Sequence, residues 1–144
     1  MTPADDQAAR GRRFAQAMFD ADTASRHLGI EADRIEPGRA IARMTIADTM
    51  VNGHAMAHGG YVFLLADTAF ALACNAYGQV TVARACDIVF VRPARAGDEL
   101  VATAVERLRA GRSGIYDVTV RRADGDVIAE LRGHSATVTD REEA

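Results

Sequence analysis

The chain has 144 residues, of which 49% are hydrophobic and 26% are charged, and its formal net charge is -3. This balance is typical of one globular domain with a buried core, spanning residues 1–144, and it excludes a fibrous or disordered chain. The small negative charge argues against broad contact with nucleic acid or a membrane surface. Residues 1–20 lack the apolar stretch of a signal peptide, and no apolar run is long enough to cross a bilayer, so we expect a cytoplasmic protein.

The N-terminal part, about residues 4–28, is predicted to be helical. Phe14, Met18 and Leu28 supply the apolar side of this helix. Thr23 is a candidate cap for a short second turn within the segment.

Two β-like segments follow and are predicted to form a hairpin. The first, residues 28–38, is weakly patterned, whereas the second, residues 39–48, alternates clearly. The turn between them falls at Pro37-Gly38, a dipeptide that favours chain reversal. Alternation in the second segment assigns four apolar side chains to one face, namely Ala40, Ala42, Met44 and Ile46.

A long apolar helix is predicted over about residues 60–77. It is apolar on nearly every face, and Asp67 is its one charged residue. Gly78 is a suitable C′ residue to end it. A helix of this kind must be covered on most sides by the rest of the domain.

Four more strand-like segments follow the apolar helix, with turn residues at intervals of about ten to fifteen residues, as in an antiparallel meander. These segments cover residues 80–93, 98–111, 113–125 and 126–140. The order of elements therefore predicts an α+β fold, in which a curved antiparallel sheet wraps around the long apolar helix.

The tripeptide His58-Gly59-Gly60 lies at the predicted start of the apolar helix. Backbone N–H groups at a helix N-terminus are unpaired and carry a partial positive charge. Glycine there lets a ligand atom approach the backbone closely, so an oxyanion or a polarised carbonyl would be stabilised. Glycine pairs are also common in loops, and these residues alone leave both interpretations open.

Asp67 is a candidate general base or nucleophile, because a buried carboxylate without a partner is costly and is expected to be paired or functional. It lies eight residues after Gly59, which is about 12 Å along a helix axis. A base must come within about 3 Å of the atom it activates. Either the two residues are unrelated, or each site takes one of them from each chain of a two-fold dimer.

The loop before the helix contains two further candidates, Asn52 and His58. Each can orient the loop, a substrate or a water molecule, and each can equally be an ordinary loop hydrogen-bonder. His58 and Asp67 are nine residues apart and would lie on opposite faces of one helix, so they are not a same-chain pair.

Motifs for other chemistries are absent from the sequence. The histidines, together with Cys74 and Cys86, lack the spacing of a zinc site or a disulfide framework, so we expect no metal. No glycine-rich nucleotide-binding motif and no GxSxG elbow occur.

The segment NGHAMAHGGYVFLLADTAFALACNAYG, residues 52–78, resembles the signature of hotdog-fold acyl-CoA thioesterases of the PaaI type, from bacterial phenylacetate degradation. The shared frame is an Asn, a His-Gly-Gly that begins six residues later, and an Asp nine residues after the His. The segment DIVFVRPARAGDELVATA, residues 87–104, is similar to the family as well. The resemblance covers about residues 27–139 and implies a single hotdog thioesterase domain.

The resemblance also implies roles for individual residues. Asp67 matches the acidic residue that activates water as a general base or attacks the thioester directly. Gly59 matches the backbone N–H that polarises the thioester carbonyl, supplied by the partner subunit. Asn52 and His58 match loop residues that place the thioester or the water, and Thr68 is expected to assist by hydrogen bonding.

Several further residues are candidates for contact with the substrate. Gly60 lies at the helix start, and Arg92, Arg112 and Ser113 are possible anchors for the CoA phosphates, although ordinary surface roles fit the arginines as well. Some related thioesterases use a Ser on the strand after the helix, where this sequence has Ala83, and this departure leaves the positioning of the water open.

The implied activity is the hydrolysis of an aryl-acetyl-CoA, in particular (hydroxy)phenylacetyl-CoA, to the free acid and CoA. A broader medium-chain or aroyl-CoA thioesterase and a hotdog dehydratase are alternatives among enzymes, and the His58–Asp67 frame fits a dehydratase less well. A non-catalytic acyl-CoA-binding module is the alternative outside them. The chemistry needs no cofactor, because CoA is part of the substrate. The implied assembly is a homodimer, with two dimers forming a homotetramer.

Overall fold

The computed structural model describes residues 2–138, and the domain limits expected at residues 1, 139 and 144 lie outside this range. The chain forms two N-terminal helices, a β-hairpin, a 3-10 turn, one long helix and four strands. In order they are α1 (Pro3–Asp20), α2 (Thr23–His27), β1 (Glu31–Glu36), β2 (Arg39–Thr45), the turn Asp48–Met50, α3 (Gly59–Asn75), β3 (Thr81–Phe90), β4 (Glu99–Ala110), β5 (Ser113–Arg122) and β6 (Val127–Thr137). This order confirms the predicted α+β hotdog architecture.

The six strands form one antiparallel sheet in the order β1-β2-β4-β5-β6-β3. The expected meander is therefore confirmed for β4, β5 and β6. Strand β3 departs from it, because it pairs with β6 at the sheet edge instead of with β4. Turn spacing sets the length of each strand but not its neighbours, since pairing depends on how the sheet closes around α3.

Helix α3 is the centre of the core. The four residues predicted for the inner face of β2 are buried, and the ring of Phe70 on α3 packs against the ring of Tyr116 on β5, with 5.3 Å between the centroids. Gly133 on β6 makes room for Phe70, because a Cβ there would lie 2.5 Å from the ring. None of the helices within residues 2–138 has the length and apolar content needed to cross a membrane.

The predicted N-terminal helix is divided into α1 and α2. The cap of α2 is Asp22 and not the expected Thr23, which is already the first helical residue. The carboxylate of Asp22 accepts the backbone N–H of Ser25 at 3.0 Å, the geometry of an N-cap. Gly78 has a positive φ of 90° but lies two residues beyond the C-cap Ala76, one position later than the C′ site.

Gly11 is required where α1 crosses the end of α3, since a Cβ there would overlap the carbonyl oxygen of Ala76. In an exposed helix, Gly→Ala stabilises by about 1 kcal/mol, whereas overpacking a tight contact costs about 1–3 kcal/mol. We expect Gly11→Ala to lower the free energy of unfolding in urea denaturation. Gly53→Ala is the control, because nothing lies within 4 Å of its Cβ position. An unchanged or higher stability of Gly11→Ala would contradict the close contact.

Candidate active site

The loop between β2 and α3 is folded around Asn52. Its N–H donates to the carbonyl of Met56 at 2.7 Å, and its Oδ1 accepts the N–H groups of His54 at 2.9 Å and Met56 at 3.2 Å. Ala55, at the tip, has a φ of 60°. The N–H groups of His54 and Met56 both donate, so the side-chain atom of Asn52 that meets them must be its amide oxygen. The NH2 group of Asn52 points elsewhere and has no acceptor within residues 2–138.

His58 is the N-cap of α3. Its backbone is extended, and its Nδ1 accepts the N–H of Gly60 at 3.0 Å. A ring nitrogen that accepts a hydrogen bond carries no proton, so the neutral ring holds its proton on Nε2. The N–H of Gly60, expected to meet the substrate, is occupied by this cap. The N–H of Gly59 has no acceptor in the described part of the chain, which makes it the available donor at the helix start.

Gly59 lies against the ring of Phe90, the last residue of β3. A Cβ at Gly59 would lie 2.9 Å from Cζ of Phe90, closer than packed atoms tolerate. Glycine lets the ring approach the helix start and leaves the N–H accessible, whereas a Cβ here would push the end of the exposed Phe90 side chain aside.

A cavity of about 440 Å³ opens beside Gly59. Most of its wall is apolar, and the polar groups are Asn52, the Gly59 backbone and Arg92, whose Nη1 donates to the carbonyl of Val127 at 3.3 Å. The lining residues are Asn52, Met56, Ala57, Gly59, Val62, Phe90, Val91, Arg92, Pro93, Ala94 and Ile128. The structure thus brings together three of the residues expected in the site, around a space with an apolar wall and a few hydrogen-bonding groups.

Asp67 does not line this cavity. It lies half-buried in the middle of α3, and no hydrogen bond reaches its carboxylate from residues 2–138. Burial raises the pKa of Asp67, and repulsion by the Asp22 carboxylate raises it further. Burial also raises the pKa of the Cys86 thiol on β3, with a contribution from Asp67, which places the carboxylate near that strand. An unpaired carboxylate with a raised pKa can act as a base.

Thr68, the residue after Asp67, has its hydroxyl inside the domain. Its Oγ1 donates to the carbonyl of Leu64 at 2.9 Å and lies 2.8 Å from Oγ of Ser25 on α2. Both hydroxyl-bearing side chains are buried. The expected assistance of Thr68 to a substrate stays a prediction, because within this chain its hydroxyl is bonded to α2 and to its own helix.

Ser113 lines a second cavity, of about 420 Å³, at the other end of the β3–β6 pair. The lining residues are Arg84, Ala85, Leu108, Ala110, Ser113, Gly114, Ile115, His134 and Ser135. Ala85 and Phe90 are five residues apart on β3, so the two cavities are separated by roughly 17 Å along the strand. Arg112 precedes Ser113 and is exposed. Within one chain, Arg112 and Ser113 are therefore not brought to Gly59.

Phe90 and Met56 belong to the first cavity and were not singled out by the sequence. Both are apolar residues in segments with many apolar residues, so composition does not mark them, and only the pairing of β3 with β6 carries Phe90 to the helix start.

Ala83, which stands where some related enzymes have Ser, is exposed on β3. Within residues 2–138, no group of three or more His, Cys, Asp or Glu side chains is placed to hold a metal ion.

Comparisons with known proteins identify the family that this chain resembles in sequence and fold. Residues 54–129 match the family described as the thioesterase superfamily. The acyl-coenzyme A thioesterase PaaI of Escherichia coli is 44% identical over 121 residues, covering 84% of this chain and 86% of that protein. A putative esterase of Deinococcus radiodurans is 38% identical over 131 residues, covering 90% and 84%. The solved structure of E. coli PaaI, from the phenylacetic acid degradation operon, superimposes with a TM-score of 0.88 and 40% identity, covering 91% of this chain and 95% of that one.

Because the pKa of Asp67 is raised in the folded chain, this residue should make the stability of the fold depend on pH. The folded chain keeps the Asp67 proton to a higher pH than the unfolded chain does, so the ionised carboxylate destabilises the fold above the folded pKa, and this cost disappears below the unfolded pKa. We expect Asp67→Asn to raise the thermal unfolding midpoint at pH 7 and to raise it less at pH 4.

Asp117 is the control of opposite sign, because a hydrogen bond from Arg132 lowers the pKa of Asp117. Its contribution is present above the unfolded pKa and is lost as the pH falls through the folded pKa. Asp117→Asn should therefore lower the midpoint at pH 7. A fall in the midpoint of Asp67→Asn at pH 7 would show that the carboxylate is paired.

Proposed function

Because this chain belongs to the thioesterase superfamily, we propose that it is an acyl-CoA thioesterase, which hydrolyses an acyl-CoA to the free acid and CoA. The observation that carries the proposal is the pair of unused groups on α3. The Gly59 N–H has no acceptor at the helix start, and the Asp67 carboxylate has no hydrogen-bond donor in the middle of the helix, among the described residues.

These two groups supply what thioester hydrolysis needs. The thioester carbonyl oxygen accepts the Gly59 N–H, where the partial positive charge of the helix N-terminus stabilises the oxyanion of the tetrahedral intermediate. Asp67 takes a proton from water as the water oxygen bonds to the carbonyl carbon. The C–S bond then breaks, and the departing CoA sulfur receives the proton. Direct attack by Asp67, through an anhydride that water then hydrolyses, is the alternative route.

For the acyl group, we favour an aryl-acetyl unit such as (hydroxy)phenylacetyl. The apolar wall and the Phe90 ring beside Gly59 suit an aromatic group, and the E. coli protein of similar structure comes from the phenylacetic acid degradation operon. Asn52 has a free NH2 group for the thioester or a water. Arg92, which lines the cavity, remains a candidate substrate contact, whereas the N–H of Gly60 is bonded to His58. A medium-chain or aroyl-CoA is the alternative substrate, and no cofactor is required.

The site that we propose needs a second copy of the chain. Gly59 and Asp67 are separated by eight residues of continuous helix, about 12 Å, and one carbonyl cannot lie beside both. Strand β3 is long, its outer edge has no partner within residues 2–138, and it exposes apolar side chains. The relative exposures are 42% for Val82, 58% for Val89 and 53% for Phe90. An apolar edge of this kind is a template for pairing with another strand.

Antiparallel pairing of two β3 strands across a two-fold axis would bring together candidate site residues that lie far apart within one chain. It would set the Thr81 end of one strand beside the Phe90 end of the other, and so bring one chain's Arg112-Ser113 region towards the other chain's Gly59 cavity. Asp67, which lies near β3, would face the same boundary. A homotetramer of two such dimers and a cytoplasmic location, without nucleic-acid or membrane partners, complete the proposal.

The activity is tested with a panel of hydroxyphenylacetyl-, phenylacetyl-, benzoyl- and aliphatic acyl-CoAs, by following the release of free thiol. We expect the highest kcat/KM for the aryl-acetyl thioesters. Asp67→Asn should reduce kcat by about 100-fold or more, because the amide cannot act as a base or nucleophile. Its elution volume in size-exclusion chromatography should stay that of the wild type.

Asp20→Asn serves as the matched control, since Asp20 is exposed and accepts a hydrogen bond from Gln16. Near-native turnover by Asp67→Asn would overturn the catalytic assignment. Binding of acyl-CoA without thiol release by the wild type would favour the non-catalytic binding module instead.

The shared site is tested by mixing two inactive variants. Gly59→Pro removes the N–H at the first helical position, where the helix backbone tolerates proline and the exposed Phe90 ring can move away from the added atoms. Asp67→Ala removes the carboxylate. A mixed dimer has one intact site of two, and half of randomly mixed dimers are mixed, so activity should return to about a quarter of the wild-type value. No recovery on mixing, with heterodimers shown by native mass spectrometry, would mean that the two residues do not act in one two-chain site.

A further inference from the structure

A hydrogen-bonded chain connects the start of α2 with the helix turn that carries Asp67. The Asp22 carboxylate accepts the Ser25 N–H at 3.0 Å and the Ser25 hydroxyl at 2.6 Å. Because the Ser25 proton is used on Asp22, Oγ of Ser25 accepts from Oγ1 of Thr68 at 2.8 Å, and the single Thr68 proton is shared with the carbonyl of Leu64 at 2.9 Å. The Asp22 carboxylate thus anchors the buried hydroxyls of Ser25 and Thr68, and Thr68 is the neighbour of Asp67 in the sequence.

This chain of contacts exceeds what capping a five-residue helix requires. The backbone N–H of Ser25 alone satisfies the cap. The second carboxylate oxygen instead accepts the Ser25 hydroxyl proton, which leaves the Ser25 oxygen to accept from Thr68, 43 residues away in the sequence and on another element. Ser25 and Thr68 are both buried, so their hydrogen bonds are shielded from water and hold α2 firmly against α3.

We propose that Asp22 is a positioning residue of the active site, which fixes the helix turn of Asp67 through Ser25 and Thr68 and acts on the Asp67 carboxylate by its charge. This inference rests on the proposed function, because it assumes that Asp67 is the catalytic carboxylate. Asp22 itself touches no reacting atom in the proposed mechanism.

Among the groups around Asp67, Asp22 has the charge that can act in this way. Two thiols lie near Asp67, that of Cys86 on β3 and that of Cys74 on α3 itself. Burial raises the pKa of both thiols, so they are neutral at pH 7. The repulsion from Asp22 adds to burial in raising the pKa of Asp67. A base whose pKa is closer to the working pH accepts a proton from water more readily.

Besides burial, Asp22 is the one group that shifts the pKa of Asp67 among the described residues, and the buried side chains of the other elements packed on α3 are uncharged. The buried residues of α1 are Gly11, Ala15 and Phe19, and the buried side chains of β2, β4, β5 and β6 are uncharged. Tyr116, the titratable one, donates its hydroxyl to Glu106. The charges on β1 are engaged in ion pairs, namely Arg34 with Glu36, and Glu31 and Asp33 with Arg43 of β2.

The test is the pH profile of kcat/KM for the wild type and Asp22→Asn, with hydroxyphenylacetyl-CoA as substrate. Asparagine keeps the cap on Ser25 and removes the charge, so the acid limb should move to lower pH. Asp20→Asn removes an equal charge from the same segment without touching Ser25, and its profile should overlay that of the wild type. Ser25→Ala keeps the charge but breaks the bridge, so kcat should fall by up to about tenfold without the same displacement of the limb.

A readout independent of activity separates this inference from the proposed function. The carboxyl carbon of Asp67, followed by ¹³C NMR in the full chain, should titrate at lower pH in Asp22→Asn than in the wild type. An unchanged titration, or an equal displacement in Asp20→Asn, would overturn the role of Asp22 even if Asp67 is catalytic. An active Asp67→Asn would instead overturn the catalytic assignment of Asp67, on which this inference rests. If Asp22→Asn fails to fold, Asp22→Ser supplies an uncharged cap for the same measurements.

Discussion

The length of a rigid helix is the constraint on which the rest of this structure depends. Gly59 begins α3 and Asp67 lies eight residues later, about 12 Å along the helix axis. Among residues 2–138, the Gly59 N–H has no acceptor and the Asp67 carboxylate has no donor. No side-chain rotation closes this gap, because backbone hydrogen bonds keep the helix straight. An active site that uses both groups must therefore be built across a boundary between two chains, and the unpaired edge of β3 offers that boundary.

The surroundings of Asp67 are unfavourable for a charged carboxylate. The sheet buries α3 from several sides, and no donor within residues 2–138 compensates the charge of Asp67, while Asp22 repels it. Such an arrangement costs stability and gains basicity. The buried bridge from Ser25 to Thr68 holds the same turn in place, so the position of Asp67 does not depend on its own hydrogen bonds.

The candidate site was only partly predictable. Asn52, His58, Gly59 and Asp67 stand out because polar residues and glycines interrupt an apolar segment. Phe90 does not stand out, since it is one apolar residue among many in β3, and only strand pairing brings it to Gly59. The Asp22–Ser25–Thr68 chain was equally hidden, because the residues are ordinary helix-cap types and are joined by a contact between distant elements.

The sequence by itself determined the order of elements, the inner face of β2, the apolar helix with its single charge, and the spacing of Gly59 and Asp67, because these follow from local periodicity and helix geometry. Only the tertiary structure decided that β3 leaves the meander to become an edge, and that Ser25 of α2 meets Thr68 of α3. These features depend on which distant surfaces meet when the sheet closes around α3, and local patterns do not encode those meetings.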